Sequence, residues 1–249
     1  MAEIICQIGT GLRLQQDFQT NRICFKISVL LIAGCRIKAD NSLNRSTLMA
    51  PQVLAHPLPS EQRVVLEGVS WQQYEILLAT LGNDFPNLRL SYLEGVLEIM
   101  ATSPEHEEIK TTIGLLIEAY FQETRTRFHG MGSATFRKAA KQRGLEPDEC
   151  YCLEHKKEFP DIAIEVVLSS GTVDKLEIYR GLQVVEVWFW ENGAFQIYHL
   201  RADHYEQVAS SELLPKLDME LFASYVRPEQ QFDAVMEFRN VIRQQQENR

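Results

Sequence analysis

From Met49 onward, the apolar positions of the chain follow the two spacings that distinguish strands from helices. Alternating or short continuous apolar runs predict strands, and apolar residues three or four apart behind a capping residue predict helices. The predicted strands cover residues 88–93, 96–100, 147–153, 160–168, 184–190 and 194–200. The predicted helices cover residues 70–81 and 230–246, and two more begin at Ser103 and Asp174. This succession, without internal repeats, predicts one α/β domain.

The strand at residues 160–168 stands out within this pattern. It is apolar along nearly its whole length, which is typical of a central strand with both faces covered. Gly95 and the pair Asn192-Gly193 supply tight turns, so the strands on either side of each are expected to form hairpins. We therefore predict a central mixed β-sheet flanked by helices.

Composition places the chain among globular proteins. Of its 249 residues, 45% are hydrophobic and 24% are charged, and the net charge is −9. No run of about 18 apolar residues occurs, so no transmembrane helix is predicted. The acidic balance argues against strong nonspecific DNA binding. It does not exclude a nuclease, because metal-binding carboxylates are themselves acidic and a local basic patch can suffice.

Residues 1–48 differ in character from the rest of the chain. They carry six basic and three acidic residues, which leaves a net charge of −12 on residues 49–249. Met49 opens a stretch of ordinary globular composition. We therefore expect a domain over residues 49–249, preceded by a non-native or disordered extension that results from an upstream start codon.

Two alternatives for the N-terminal residues stay open. Residues 27–34 are apolar, follow basic residues and precede Cys35, which is the pattern of a bacterial lipoprotein signal. A genuine extension of unknown role is the other alternative. The five cysteines fit no disulfide framework, so reduced thiols in a cytoplasmic protein are the simpler interpretation. Cys150 and Cys152, on one strand face, are expected to be ordinary thiols.

One stretch of the domain is clearly basic. Residues 125–143 hold six basic side chains and no acidic one: Arg125, Arg127, Arg137, Lys138, Lys141 and Arg143. Such a stretch is either a solvated surface or a surface that contacts phosphate groups.

Glu165 is a charged residue in the middle of the apolar strand 160–168. A buried carboxylate must be paired, protonated or bound to a cation. Asp161 is four residues away, about 13 Å along a strand, so the two cannot share one metal ion directly. A second ligand has to come from a neighbouring strand, and Asp148 is the natural candidate. Lys175, at the start of the next helix, could reach back over the strand end.

The runs 159–169, 174–179 and 185–188 resemble a family described as "Putative restriction endonuclease", which is abundant in cyanobacteria and has the PD-(D/E)xK nuclease fold. The earlier runs 92–100, 103–106 and 147–148 match it in the same order. The resemblance covers roughly residues 68–200. It implies a restriction-endonuclease-like α/β fold with a central mixed sheet.

The resemblance also implies roles for individual residues. Asp148 matches the first motif acid and Glu165 the second, and both are expected to hold the metal. Val167 occupies the usual lysine position, and Lys175 on the following helix takes its place. His106 and Glu98 match further site residues of the family. Glu94 and Glu105 are weaker candidates. The chain departs from the family at residues 169–172, where Ser-Ser-Gly-Thr stands in place of the family's Ser-Pro-Ser-Thr.

The function implied is a Mg²⁺- or Mn²⁺-dependent endonuclease that hydrolyses phosphodiester bonds, with DNA as the expected substrate. A homodimer is expected because cutting two strands suits two sites, and no membrane association is expected. Three rivals stay open. One is a nuclease fold that binds without catalysis, in which Glu165 and Lys175 form only a structural pair. The others are a metal-dependent phosphoesterase acting on small nucleotides and a membrane-anchored lipoprotein carrying the same domain.

Overall fold

The computed structural model describes residues 61–82, 85, 87–169, 171 and 173–247, together with two short strands nearer the N-terminus. The chain divides into two units, residues 1–55 and residues 56–249. In the first unit, the strands β1 (Leu14–Asp17) and β2 (Arg22–Phe25) pair antiparallel. The predicted extension over residues 1–48 and the signal-like segment 27–35 lie otherwise outside the described residues, and both stay predictions.

The second unit contains the remaining strands and the helices. The strands are β3 (Gln62–Leu66), β4 (Leu88–Leu93), β5 (Val96–Ala101), β6 (Phe128–Gly130), β7 (Phe136–Lys138), β8 (Arg143–Leu145), β9 (Glu149–Leu153), β10 (Ile162–Val167), β11 (Glu186–Glu191), β12 (Ala194–Leu200) and β13 (Tyr205–Val208). The helices are α1 (Trp71–Leu81), α2 (Pro104–Thr124), α3 (Lys175–Leu182), α4 (Met219–Ser224) and α5 (Gln231–Glu247). Short 3₁₀ turns cover Ala139–Lys141 and Pro228–Gln230.

Capping residues begin the helices where the sequence predicts. The Ser70 hydroxyl accepts the backbone N–H of Gln73, whose side chain accepts the N–H of Ser70 in return. Ser103 caps α2 and is followed by Pro104 at the first helical position. Asp174 caps α3 in the same way. The predicted starts of these three helices are therefore confirmed.

The predicted central mixed sheet is present, and a second, antiparallel sheet accompanies it. Six of the described strands form a mixed sheet in the order β13-β12-β11-β10-β9-β6. In it, β10 pairs parallel with β11, because α3 carries the chain back across the sheet between them, and the other pairs are antiparallel. Five others form an antiparallel sheet in the order β3-β5-β4-β8-β7. The α/β class and the flanking helices are as predicted.

Helices α2 and α5 cover one face of the mixed sheet. Alternate residues of β10, Ile162, Ile164 and Val166, pack there in one apolar cluster with Trp188 and Phe238. Trp188 is fully buried. Burial of these apolar surfaces is the main force that holds the two helices against the sheet.

The opposite face of β10 packs against α3 and the edge of the second sheet. Ala163 lies in a cluster with Ile178, Tyr179 and Leu182 of α3 and with Phe136 of β7. Because side chains alternate along a strand, residue 165 points to this same face. The strand therefore turns its one acidic side chain toward α3. Cys150 and Cys152 are buried free thiols, as expected.

Candidate active site

Glu165 is fully buried on the face of β10 that α3 covers. The Nζ atom of Lys175 lies 2.6 Å from Oε2 of Glu165, and the hydroxyl of Tyr179 donates to Oε1. Lys175 and Tyr179 are four residues apart in α3, so both side chains leave the same face of the helix. Burial, with the nearby charge of Asp148, raises the pKa of Glu165 despite these partners. The acid is therefore held by one helix over the end of a central strand.

The side chain of Lys175 is more exposed to solvent than that of Glu165. Its side chain is 16% exposed, whereas that of Glu165 is 0% exposed. Burial lowers the pKa of Lys175, but the charges of Glu165 and Asp148 outweigh burial and raise it. A protonated ammonium therefore lies directly beside the buried acid.

Asp148 lies directly before β9 and is 1% exposed. The β9–β10 register pairs Glu149 with Ile164, and continuing it by one residue places Asp148 opposite Glu165. Its Oδ2 accepts the backbone N–H of Val166 at 2.8 Å. The two acids predicted from sequence are thus brought together on adjacent strands.

The second oxygen of Asp148 is bonded to His106. Nε2 of His106 lies 2.9 Å from Oδ1 of Asp148, and Nδ1 lies 2.8 Å from Oε1 of Glu61. Burial lowers the pKa of His106, but the two carboxylates outweigh it and raise the pKa to about 9. Burial likewise opposes ionisation of Asp148, yet His106 and Lys175 lower its pKa to about 2. His106 is therefore a charged group that holds Asp148, with both ring nitrogens engaged.

Glu98 lies at the other end of the same polar network. It is 2% exposed on β5, and its Oε1 accepts a hydrogen bond from Arg63 at 2.8 Å. Arg63 also bonds to Glu61 at 2.8 Å and to the hydroxyl of Ser169 at 3.2 Å. The network thus runs from Asp148 to Glu98 through Glu61, just before β3, and Arg63 within it.

Four residues of the network went unrecognised in the sequence: Glu61, Arg63, Ser169 and Tyr179. Tyr179 could have been found, because it follows Lys175 by one helical turn. The contact of Glu61 with His106 spans 45 residues and that with Ser169 spans 108. No local pattern indicates contacts over such separations.

The other candidates lie elsewhere. Asp161 bonds to Lys157 at 2.7 Å and accepts the N–H of Leu153, so it does not share a site with Glu165, as expected. Glu94 is in the β4–β5 turn and pairs with Arg143 at 3.0 Å. Glu105 is exposed in the first turn of α2. None of these three contacts the Asp148 or Glu165 carboxylate.

The basic side chains of residues 125–143 fall into two groups, those with a partner and those exposed to solvent. Arg143 is buried and paired with Glu94 and Glu177, and Lys138 lies 5.7 Å from the centre of the Phe159 ring. The others are exposed, and no ion-pair partner is found for them among the described residues: Arg125, Arg127, Arg137 and Lys141. The exposed part of the stretch is therefore a cationic surface in contact with solvent.

Asp148 and Glu165 are the carboxylates that the site offers to a divalent cation. In the described residues, no three His, Cys, Asp or Glu side chains are grouped so that they could hold a metal ion. Mg²⁺ needs only one or two carboxylates, with waters and substrate phosphate oxygens completing its shell. Carboxylate oxygens keep lone pairs beyond the single hydrogen bonds that Asp148 and Glu165 accept on each atom. A cation would also stabilise the charged form of Glu165, so this pair fits a hard divalent ion.

Comparison with known families identifies the domain. A family model described as "Uma2: Putative restriction endonuclease" matches residues 71–227, which is more than half of the chain. The chain belongs to the Uma2 family. The observed α/β architecture is consistent with the restriction-endonuclease-like fold, and Uma2 membership supports a nuclease-like hydrolytic function. No curated protein matches the chain.

The Uma2 match contains all five site residues predicted from sequence, from Glu98 to Lys175. Glu61 and Arg63 precede it. Within the part of the chain that the structure describes, no helix is both long and apolar enough to cross a membrane.

Proposed function

We propose that this protein is a Mg²⁺- or Mn²⁺-dependent endonuclease that hydrolyses phosphodiester bonds in DNA. The observation that carries the proposal is the meeting of Asp148 and Glu165 on neighbouring strands, with the Lys175 ammonium 2.6 Å from Glu165. Two buried acids beside one cation match the chemistry of a site that handles phosphate groups.

Each residue has a distinct task in this proposal. Asp148 and Glu165 would hold the metal ion, which, when bound, would supply Lewis-acid stabilisation of charge on the phosphate and a more acidic water. Lys175 orients the attacking water or stabilises the negative charge that develops on the phosphate oxygens. Tyr179 fixes the Glu165 carboxylate, and His106 fixes that of Asp148. Glu98 contributes through Arg63 rather than directly.

Substrate, assembly and location complete the proposal. DNA is favoured by the family, and the exposed cations Arg125, Arg127, Arg137 and Lys141 are available to its phosphates. A homodimer would place two sites on the two strands of a duplex. We place the protein in the cytoplasm, where the buried thiols Cys150 and Cys152 would stay reduced.

The decisive experiment is cleavage of supercoiled plasmid and single-stranded DNA by the full chain, with Mg²⁺, Mn²⁺ or EDTA. Glu165→Gln and Lys175→Met are assayed as separate variants. Asp161→Asn is the matched control, because it alters an acid just before the same strand that is bonded to Lys157 instead. We expect cation-dependent nicking in the wild type and the control, and a loss of roughly 100-fold or more in both site variants.

Other outcomes would favour the rivals. DNA binding without cleavage by folded wild type would indicate a binding module in which Glu165 and Lys175 form only a structural pair. Hydrolysis confined to small nucleotides would indicate a phosphoesterase. Cleavage that survives unchanged in Glu165→Gln would place the site elsewhere.

A further inference from the structure

Two charged side chains at the start of β3 reach the site, and both lie outside the part of the chain that the Uma2 family model matches. Glu61 immediately precedes β3 and Arg63 is its second residue, so the two leave the same face of the extended chain. Both lie before residues 71–227, the part that the Uma2 model matches. Their side chains are 0% and 15% exposed, respectively, which is unusual for charged groups unless they are paired.

Glu61 is paired entirely within the site. Its Oε1 lies 2.8 Å from Nδ1 of His106, and its Oε2 accepts from Arg63 and from the hydroxyl of Ser169. Burial alone would raise the pKa of Glu61, but these hydrogen bonds lower it to about 2. The imidazole of His106 is thus held from both sides, by Glu61 and by Asp148. A ring fixed at both nitrogens cannot rotate, so the position of Asp148 depends on Glu61.

Arg63 is bonded to Ser169, which follows Glu165 by four residues in the chain. Its Nε donates to the Ser169 hydroxyl at 3.2 Å, and an Nη donates to the Ser169 carbonyl at 2.9 Å. Ser169 lies in the segment that joins the strand of Glu165 to the helix of Lys175. Another Nη donates to Glu98 at 2.8 Å, which fixes the guanidinium itself. A planar guanidinium can make these bonds at once, whereas a lysine ammonium cannot match their directions.

We infer that Glu61 and Arg63 are positioning residues for the proposed nuclease site. Glu61 fixes the imidazole that holds Asp148, and Arg63 fixes Ser169, which lies between Glu165 and Lys175 along the chain. The inference rests on the proposed function. In this role Glu61 and Arg63 act through His106 and Ser169 rather than on the substrate. Together they would set the distance between Asp148 and the Glu165–Lys175 pair.

A purely structural role for the pair makes a different prediction. If the network served only stability, its loss would lower the melting temperature and the amount of active enzyme, with the catalytic constant per folded molecule unchanged. Misplacement of catalytic groups by about 1 Å is expected to lower the chemical rate roughly 100-fold. Substrate affinity would then change little, because binding relies on other surfaces. The split between kcat and KM therefore separates the two roles.

The test uses the full chain with Arg63→Lys and Glu61→Gln, each of which keeps the approximate size of the side chain. Arg239→Gln is the control, because Arg239 forms a comparable ion pair with Glu123 between α5 and α2, away from the site. We expect kcat per folded molecule to fall roughly 10- to 100-fold in both site variants. We expect KM for DNA to stay within about twofold of wild type, and the control to keep the wild-type kcat. An unchanged kcat in either folded site variant would overturn the inference.

A second readout is independent of activity. In the metal-free full chain, the NMR signal of the His106 Nδ1 proton reports its bond to a carboxylate, and Glu61→Gln should move that signal upfield. Retention of the wild-type signal in Glu61→Gln would overturn the role of Glu61 even if cleavage fell. If wild type cleaves nothing, the proposed function fails. A moved signal would then still support the positioning of His106 by Glu61.

Discussion

The raised pKa of His106 determines how the stability of the folded protein changes with pH. Its pKa in the folded protein is about 9, against an ordinary value of 6.5, so the folded state binds this proton more tightly than the unfolded chain does. Stability from this group is complete below pH 6.5 and is lost as the pH rises through about 9. The difference between these two pKa values corresponds to a loss of about 3 kcal/mol.

We therefore expect the free energy of unfolding to fall as the pH rises from about 6.5 to about 9. Urea unfolding at several pH values across this range measures the change. His106→Gln should be less stable at low pH and should show a flatter dependence. An equally steep fall in that variant would assign the titration to another group.

At the same scale, sequence alone could identify some site residues and not others. Asp148, Glu165 and Lys175 lie on neighbouring elements in chain order, so a strand–loop–helix argument brings them together. Glu61 and Arg63 meet the site only through contacts with residues far along the chain. A short strand with two charged side chains on one face is typical of an exposed edge, and nothing in its pattern indicates burial.

The N-terminal cap of α2 binds His106, a residue of the candidate active site. The Ser103 hydroxyl accepts the backbone N–H of His106 at 3.1 Å, so the cap and the site share one residue. Ser70 caps α1 through the N–H of Gln73 at 3.3 Å, and that helix contributes no residue to the site. Both serines therefore cap a helix in a similar way, but only Ser103 contacts a residue of the candidate active site.

We expect Ser103→Ala and Ser70→Ala each to lower the free energy of unfolding by about 1 kcal/mol. Only Ser103→Ala should also slow DNA cleavage, because it loosens the first turn that carries His106. Chemical denaturation and single-turnover cleavage of both variants measure the two effects. Equal cleavage rates in the two variants would show that the cap does not act on the site.

Elements with a clear period or cap were predictable, and the shortest were not. The hairpin of β4 and β5 and the turn at Glu94 follow from a regular alternation broken by glycine, which has φ +99° at Gly95. β6, β7 and β8 have three residues each, too few for any period to show. Since β7 and β8 extend the second sheet, missing them also hid the division of the strands into two sheets.

At the scale of the whole molecule, charge is distributed unevenly. The chain is acidic overall, with a net charge of −9. Many of its surface cations are ion-paired, as Arg201 is with Glu206 and Arg243 is with Glu123. Arg125 and Arg127 are exposed beside β6, and among the described residues neither has an ion-pair partner. Their positive charge is therefore available to an anionic partner.

The position of these arginines suits a long anionic substrate. β6 pairs with the Leu153 end of β9, whereas Asp148 precedes its Glu149 end. Four residues of strand separate the two ends by about 13 Å. A duplex with a phosphate cut at Asp148 extends well beyond that distance. Its backbone could therefore reach both the site and the arginines.

We expect the double variant Arg125→Ala, Arg127→Ala to bind DNA more weakly without changing the chemical step. Each lost phosphate contact should reduce the slope of log affinity against log salt by about 1. Binding measured at several salt concentrations, with catalysis blocked by EDTA, tests this. Lys216→Ala is the control, since Lys216 is an exposed lysine between β13 and α4. A salt slope identical to wild type in the double variant would make these arginines a solvated surface and move the DNA path to another face.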